Sequence, residues 1–207
     1  MAVKKKKAAR PKAKAKPQAK PKAKAKPKAK APAKRAPKAI SEAEMMAQWQ
    51  AAMTPSEGHA RLMPMVGTWR AKTTITMAQG GPEEVSAGTS VHRMVLGGRY
   101  LEQVYKGTSM GMPLEGIGFT GYDNAQKRYV GTWMDSFGTG VMTSIGTGRP
   151  TDERIDLIAE AVEPSGAKRL FDAIVRIRDH EHHSFELWTT GPNGKSYRMM
   201  LVEYERG

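Results

Sequence analysis

Residues 67–77 read GTWRAKTTITM, and the order of residue types in this stretch decides the fold. Trp69, Ala71, Thr73, Ile75 and Met77 alternate with Arg70, Lys72, Thr74 and Thr76. Neighbouring side chains on an extended strand point to opposite faces, so this period of two puts one set against a core and the other in water.

Toward the C-terminus the pattern repeats. Strand-like runs follow at about residues 87–96, 98–107, 114–122, 127–135 and 139–147, then near 154–163, 168–178, 183–190 and 196–205. Between them stand Gly80-Gly81-Pro82, Gly97-Gly98, Asp123-Asn124, Ser165-Gly166 and Pro192-Asn193-Gly194, residues that favour tight turns. About ten short strands with no helix between them describe an antiparallel meander. Closing that meander removes exposed strand edges and leaves room inside for one small ligand. The expected fold is all-β, a closed up-and-down barrel, with a two-sheet sandwich as the alternative.

Toward the N-terminus the period lengthens. Ser41-Glu42-Ala43-Glu44 fits a capping box, and Met45, Met46, Trp49, Ala52 and Met53 then fall at helical spacing. Thr54-Pro55-Ser56-Glu57 signals a second start, with Pro55 at the first helical position. Two short helices are expected before the barrel, their Met and Trp stripe serving as packing surface.

Residues 1–40 form a different kind of chain. They hold 17 of the 34 Lys and Arg and no Asp or Glu, leaving 17 basic against 20 acidic residues in 41–207. The net charge of +14 therefore belongs to the tail. PKAKAKPQAK at 11–20 repeats as PKAKAKPKAK at 21–30. Self-repelling Lys, recurrent Pro and little apolar surface predict disorder. In composition the tail resembles those of linker histones and histone-like bacterial proteins. Lys12, Lys14, Lys16, Lys22, Lys24, Lys26 and Lys28 are its candidate polyanion contacts. With no aromatic residue to stack on bases, association with DNA or RNA would be blind to sequence. Anionic lipid is a further partner, and a purely solubilising spacer is the plain alternative.

The chain has no cysteine, which excludes disulfides, thiolate metal sites and Cys nucleophiles. No signal-type apolar run opens it, and no stretch reaches membrane-spanning length. The expected location is the cytoplasm, at the nucleoid if the tail engages DNA.

Gly67-Thr68-Trp69, Leu96-Gly97-Gly98-Arg99-Tyr100-Leu101, Gly111-Met112-Pro113-Leu114-Glu115-Gly116-Ile117-Gly118 and Gly121-Tyr122-Asp123-Asn124 form a joint pattern. Tyr129-Val130, Trp133-Met134-Asp135-Ser136, Gly138-Thr139-Gly140 and a closing Tyr204-Glu205-Arg206 continue it. Together they resemble the bacterial domain of unknown function 1579 family across nearly all of residues 45–206. The resemblance implies a lipocalin-like, calycin-type barrel and carries over no reaction or catalytic residue. The basic tail lies outside the family pattern.

Within the barrel, Trp69, Arg93, Tyr129, Trp133 and Asp135 are the ligand-pocket candidates. Tyr129, Trp133 and Asp135 share strand parity and hence one face. Aromatics with a few polar groups suit a ligand-holding mouth. Equally, Trp and Arg can plug a barrel end, the guanidinium stacked on the indole. The Met residues 77, 94, 134, 142, 199 and 200 would give an adaptable lining or an ordinary core.

Other constellations are weaker. Gly116 to Gly121 spell GxGxxG, but a turn and another strand follow rather than the helix a dinucleotide needs. Those glycines instead suit a strand that bends or admits a bulky neighbour such as Trp133. His180, His182 and His183, with Asp179 and Glu181, read as a solvated hairpin turn, and His92 as a hydrogen-bonded strand histidine rather than a haem ligand. No catalytic residue, metal site or cofactor is assigned. Binding of a small, mostly apolar molecule is the favoured function. The alternatives are an interaction protein with a filled barrel, or a hydrolase or isomerase using Asp135 or Glu115.

Overall fold

The computed structural model describes residues 40–147 and 153–207, so the expectations for Lys12 to Lys28 fall outside the described residues. Ten antiparallel strands follow one another around a closed barrel: β1 (Gly67–Thr76), β2 (Glu83–Val95), β3 (Tyr100–Ser109), β4 (Met112–Asp123), β5 (Arg128–Asp135), β6 (Met142–Thr147), β7 (Arg154–Val162), β8 (Lys168–Ile177), β9 (His182–Thr190) and β10 (Ser196–Arg206). Closure is made by β1 on β10, in register from Trp69 opposite Arg206 to Ile75 opposite Met200. The barrel expectation holds, and the sandwich alternative falls.

Alternation works as the sequence predicts. Trp69, Ala71 and Thr73 are buried while Thr68, Arg70 and Lys72 between them are exposed. At the β2–β3 turn the backbone of Gly97 (φ 65°) and Gly98 (φ 83°) is left-handed, a conformation that costs glycine little.

Two helices precede the barrel. α1 (Glu42–Met53) starts on the expected capping box: Glu44 N–H donates to Ser41 Oγ at 3.2 Å, and Ser41 N–H to Glu44 Oε2 at 2.8 Å. α2 (Glu57–Ala60) is a single turn whose N-cap is Ser56, so Pro55 lies before the helix and not at its first position. Thr54 instead closes α1, its hydroxyl donating to the Gln50 carbonyl at 2.8 Å. A 3-10 turn (Met63–Met65) then leads into β1.

The apolar stripe of α1 does not pack as expected. Met46, Trp49 and Met53 are 62%, 61% and 55% exposed, and no residue of α1 is buried. Among the described residues, it is the C-terminal end of the helix that is tied down: Asn124 Nδ2 donates to the carbonyls of Ala51 (3.1 Å) and Thr54 (2.6 Å).

The segment after α1 plugs one barrel end. Leu62 and Met65 are buried in the main core with Leu101, Tyr129 and Ile155. Gly58 lies directly on the Tyr122 ring, where a Cβ would sit 2.3 Å from Cγ. Because strands alternate in direction from β1, the turns after β2, β4 and β8 share this plugged end. The turns after β1, β3, β5, β7 and β9 ring the opposite, open end.

Candidate functional site

The barrel is hollow. A cavity of about 300 Å³ runs through it, walled by Leu101, Leu114, Trp133, Ile155, Leu157 and Leu187, with Met110 and Phe137 at the open end. Of the six methionines singled out from sequence, Met142 and Met200 line it.

Four of the five candidate residues divide between the two ends. Trp133 and Asp135, near the end of β5, line the cavity toward the mouth. Trp133 Nε1 donates to Asp135 Oδ2 at 2.9 Å, and Asp135 Oδ1 accepts the Phe137 N–H at 2.9 Å. This carboxylate is thus held in place while one edge of the indole faces the interior. The ring lies across β4 where Gly116 and Gly118 leave space: a Cβ on Gly116 would come 2.2 Å from Trp133 Cζ2. The glycines of the rejected nucleotide motif therefore make room for Trp133.

Tyr129 shares the inward face but starts β5, at the plugged end, where it is fully buried. Its hydroxyl donates to the Gly58 carbonyl at 3.1 Å, and Tyr122 packs edge-on at 5.0 Å between ring centroids. Trp69 is likewise fully buried and part of the plug: Nε1 donates to the Met65 carbonyl at 2.8 Å. A guanidinium does stack on it, at 4.3 Å, but from Arg206. Arg93 sits elsewhere. It projects outward from β2 and pairs with Glu102 on β3, because inward-facing His92 precedes it and successive side chains change face. Trp133 and Asp135 thus border the cavity, while Trp69 and Tyr129 belong to the plug at the opposite end. Glu115 is also outside, paired with Lys106 at 3.1 Å.

Sequence reasoning missed the inner end of the cavity. His183 belongs to β9, not to a solvated turn; it is buried, as is His92 on β2. Only the rest of the turn reads as expected, with exposed His182 Nδ1 3.1 Å from Asp179 Oδ1. His183 stacks on Tyr204 (4.3 Å, 10° between planes), meets Trp69 edge-on at 4.3 Å and lies 5.2 Å from His92, centroid to centroid. His92 Nε2 lies 2.9 Å from Ser90 Oγ, and Gln103 Nε2 donates to the Tyr204 hydroxyl at 2.8 Å. Both His183 ring nitrogens are buried without a hydrogen-bond partner among the described residues. His92 Nδ1 makes no good hydrogen bond either, though the Met65 carbonyl is near enough to favour its protonation slightly.

Burial holds both imidazoles neutral. It pushes His92 down to about 4, and it pushes His183 down to about 3 with help from the positive charges of His92 and Arg206. Burial raises the Tyr204 hydroxyl, so it stays protonated as a donor. Parity was the available signal: His183 alternates with Phe185 in β9, opposite Tyr204 and Val202 of the buried β10 face.

Comparison with known proteins agrees with this architecture. The sequence model of the family described as "Protein of unknown function (DUF1579)" matches residues 54–206. No curated protein matches. Among solved structures, Rv2717c from M. tuberculosis is similar at 15% identity and a TM-score of 0.55, over 74% of this chain and 99% of that one. At that identity the likeness shows the fold alone. A redesigned β-barrel (15% identity, TM-score 0.38, 74% of this chain and 98% of that one) and a de novo fluorescence-activating β-barrel (17%, 0.39, 69% and 93%) are more distant.

Proposed function

The chain belongs to the DUF1579 family of proteins of unknown function, and on that premise we propose that its barrel binds one small, mostly apolar molecule. The supporting observation is the cavity itself. At about 300 Å³ it falls at the lower end of the range typical of small-molecule sites, and its wall is apolar with a few fixed polar groups. A barrel filled by its own side chains would leave no such space. The Trp133–Asp135 pair at the mouth offers a flat apolar surface beside one oriented carboxylate, suited to positioning a ligand. The polycationic tail would add sequence-blind association with DNA, RNA or another polyanion in the cytoplasm.

Extraction of the purified full-length protein into organic solvent, followed by mass spectrometry, tests the barrel. A discrete copurified molecule is expected, or a melting shift with members of an apolar metabolite panel. Ligand at a hundredfold excess over Kd stabilises by about 2.7 kcal/mol. A clean extract with no shift across the panel would refute the reading. For the tail, full-length protein should bind duplex DNA with log K falling against log salt at a slope near about −7 if about eight charges meet phosphates. Residues 41–207 alone should not bind. Equal binding by both would remove the role from the tail.

A further inference from the structure

Resting on the ligand-binding reading above, we infer that the plugged end of the cavity is a head-group subsite, in which His183, His92 and Tyr204 receive the carboxylate of an otherwise apolar ligand.

Three observations lead there. His183 lines the cavity, is 4% exposed and has neither ring nitrogen hydrogen-bonded among the described residues. An unpaired buried polar group is costly, and a whole imidazole left so is unusual unless something else completes it. Second, donors gather around one point. Each neutral imidazole carries one N–H. The Tyr204 hydroxyl accepts from Gln103, and its own proton meets no acceptor among the described contacts. The His183 ring lies 4.3 Å from Tyr204 and 5.2 Å from His92, so the three groups stand together at this end of the cavity.

Third, the charged group that acts on the pair is a cation. Arg206 lies 4.3 Å over Trp69, whose indole contacts His183, and its charge acts on His183. The titratable and charged groups facing the pair are few. β10 supplies Arg206 and Tyr204, and β3 supplies Tyr105, while β1 presents Trp69 and the 3-10 turn Met65. Glu102 faces outward to Arg93, and Asp135 stands at the mouth. Glu181 pairs with Arg206 at 3.5 Å, so that charge is partly offset, and it is the gathered donors that favour an anion here. The chain of the ligand would then run along Leu101, Leu187 and Leu157 toward Trp133. Chelation of a metal ion lacks a third ligand, since no group of three His, Cys, Asp or Glu is placed for it among the described residues.

Octanoate and octan-1-ol, equal in chain length, separate the head group from the tail of the ligand. Both are titrated calorimetrically into full-length protein, its His183→Phe variant and its Tyr204→Phe variant, in about 0.3 M salt to screen the basic tail. Phenylalanine keeps the ring stack in each case, and octanol binding reports whether the variant is folded. The wild type should prefer octanoate by about tenfold or more, as expected of hydrogen bonds to a charged group. His183→Phe should abolish the preference by weakening octanoate binding far more than octanol binding, and Tyr204→Phe should weaken the preference. Equal binding of both probes by the wild type would overturn the carboxylate subsite while leaving the ligand barrel standing. A preference unchanged in both variants would overturn it too. If neither probe binds, the cavity reading and the subsite fall together.

Discussion

Each end of the barrel carries a tryptophan, and the two differ in everything but residue type. Trp69 at the plugged end is fully buried, hydrogen-bonded to the Met65 carbonyl and covered by Arg206. Trp133 at the open end is half-buried, hydrogen-bonded to Asp135 and in contact with empty space on its inner edge. One ring fills volume, and the other borders it. The difference teaches that an inward tryptophan becomes plug or wall according to its place along the strand: β1 and β5 both enter at the plugged end, but Trp69 lies near the start of one and Trp133 near the end of the other.

That contrast is sharpest in stability. Trp69→Ala should cost about 3–5 kcal/mol, because a large cavity opens in packed surroundings and the Met65 carbonyl loses its donor. Trp133→Ala should cost distinctly less, about 1–2 kcal/mol, since part of its ring already lacks packing partners. Chemical denaturation of both variants measures this, and equal losses would break the distinction between plug and wall.

Acid should then attack the inner end first. A histidine whose folded value lies below its unfolded value of about 6.5 binds protons more readily when unfolded. The stability from keeping His92 and His183 neutral is therefore complete above about pH 6.5 and lost as pH falls toward about 4 and about 3. The loss between pH 7 and 4 should be on the order of 3 kcal/mol per histidine. Replacing His183 with Phe should flatten the acid limb of the unfolding midpoint. An unchanged limb would show that the pair is not buried as described.

Smaller effects refine the picture. Tyr129→Phe removes the bond to the Gly58 carbonyl and should cost about 1 kcal/mol, read from the same denaturation curves. Trp49→Ala on α1 should stay within about 0.5 kcal/mol, because that ring is 61% exposed. A larger loss at Trp49 would mean that α1 is covered in solution by something not in this chain's described contacts.

Much of this was legible in residues 67–77: alternation alone places Trp69, Ala71 and Thr73 inside. The space beside Gly116 and Gly118 was legible in part, because glycines in a strand suit either a bend or a bulky neighbour, and the neighbour is Trp133. What could not be read was position along the barrel axis. Tyr129 and Asp135 share a face, yet one lies under α2 and the other at the mouth, and only strand direction tells them apart. Arg93 was misplaced because its charge outweighed its parity, although His92 beside it takes the inward position. His183 was hidden by composition. Within Asp179-His180-Glu181-His182-His183 four residues are exposed, and the fifth, the second residue of β9, turns inward. The stripe on α1 carries a helical period, but a period does not say whether a partner surface exists.

The central claim is that the barrel encloses open apolar space. Crystals of the protein pressurised with xenon test it most directly, because xenon settles in apolar cavities and scatters strongly. The account predicts ordered xenon inside the barrel, among Leu101, Leu114, Trp133 and Leu187. Density showing those side chains packed against one another across the axis, with no xenon between them, would contradict it.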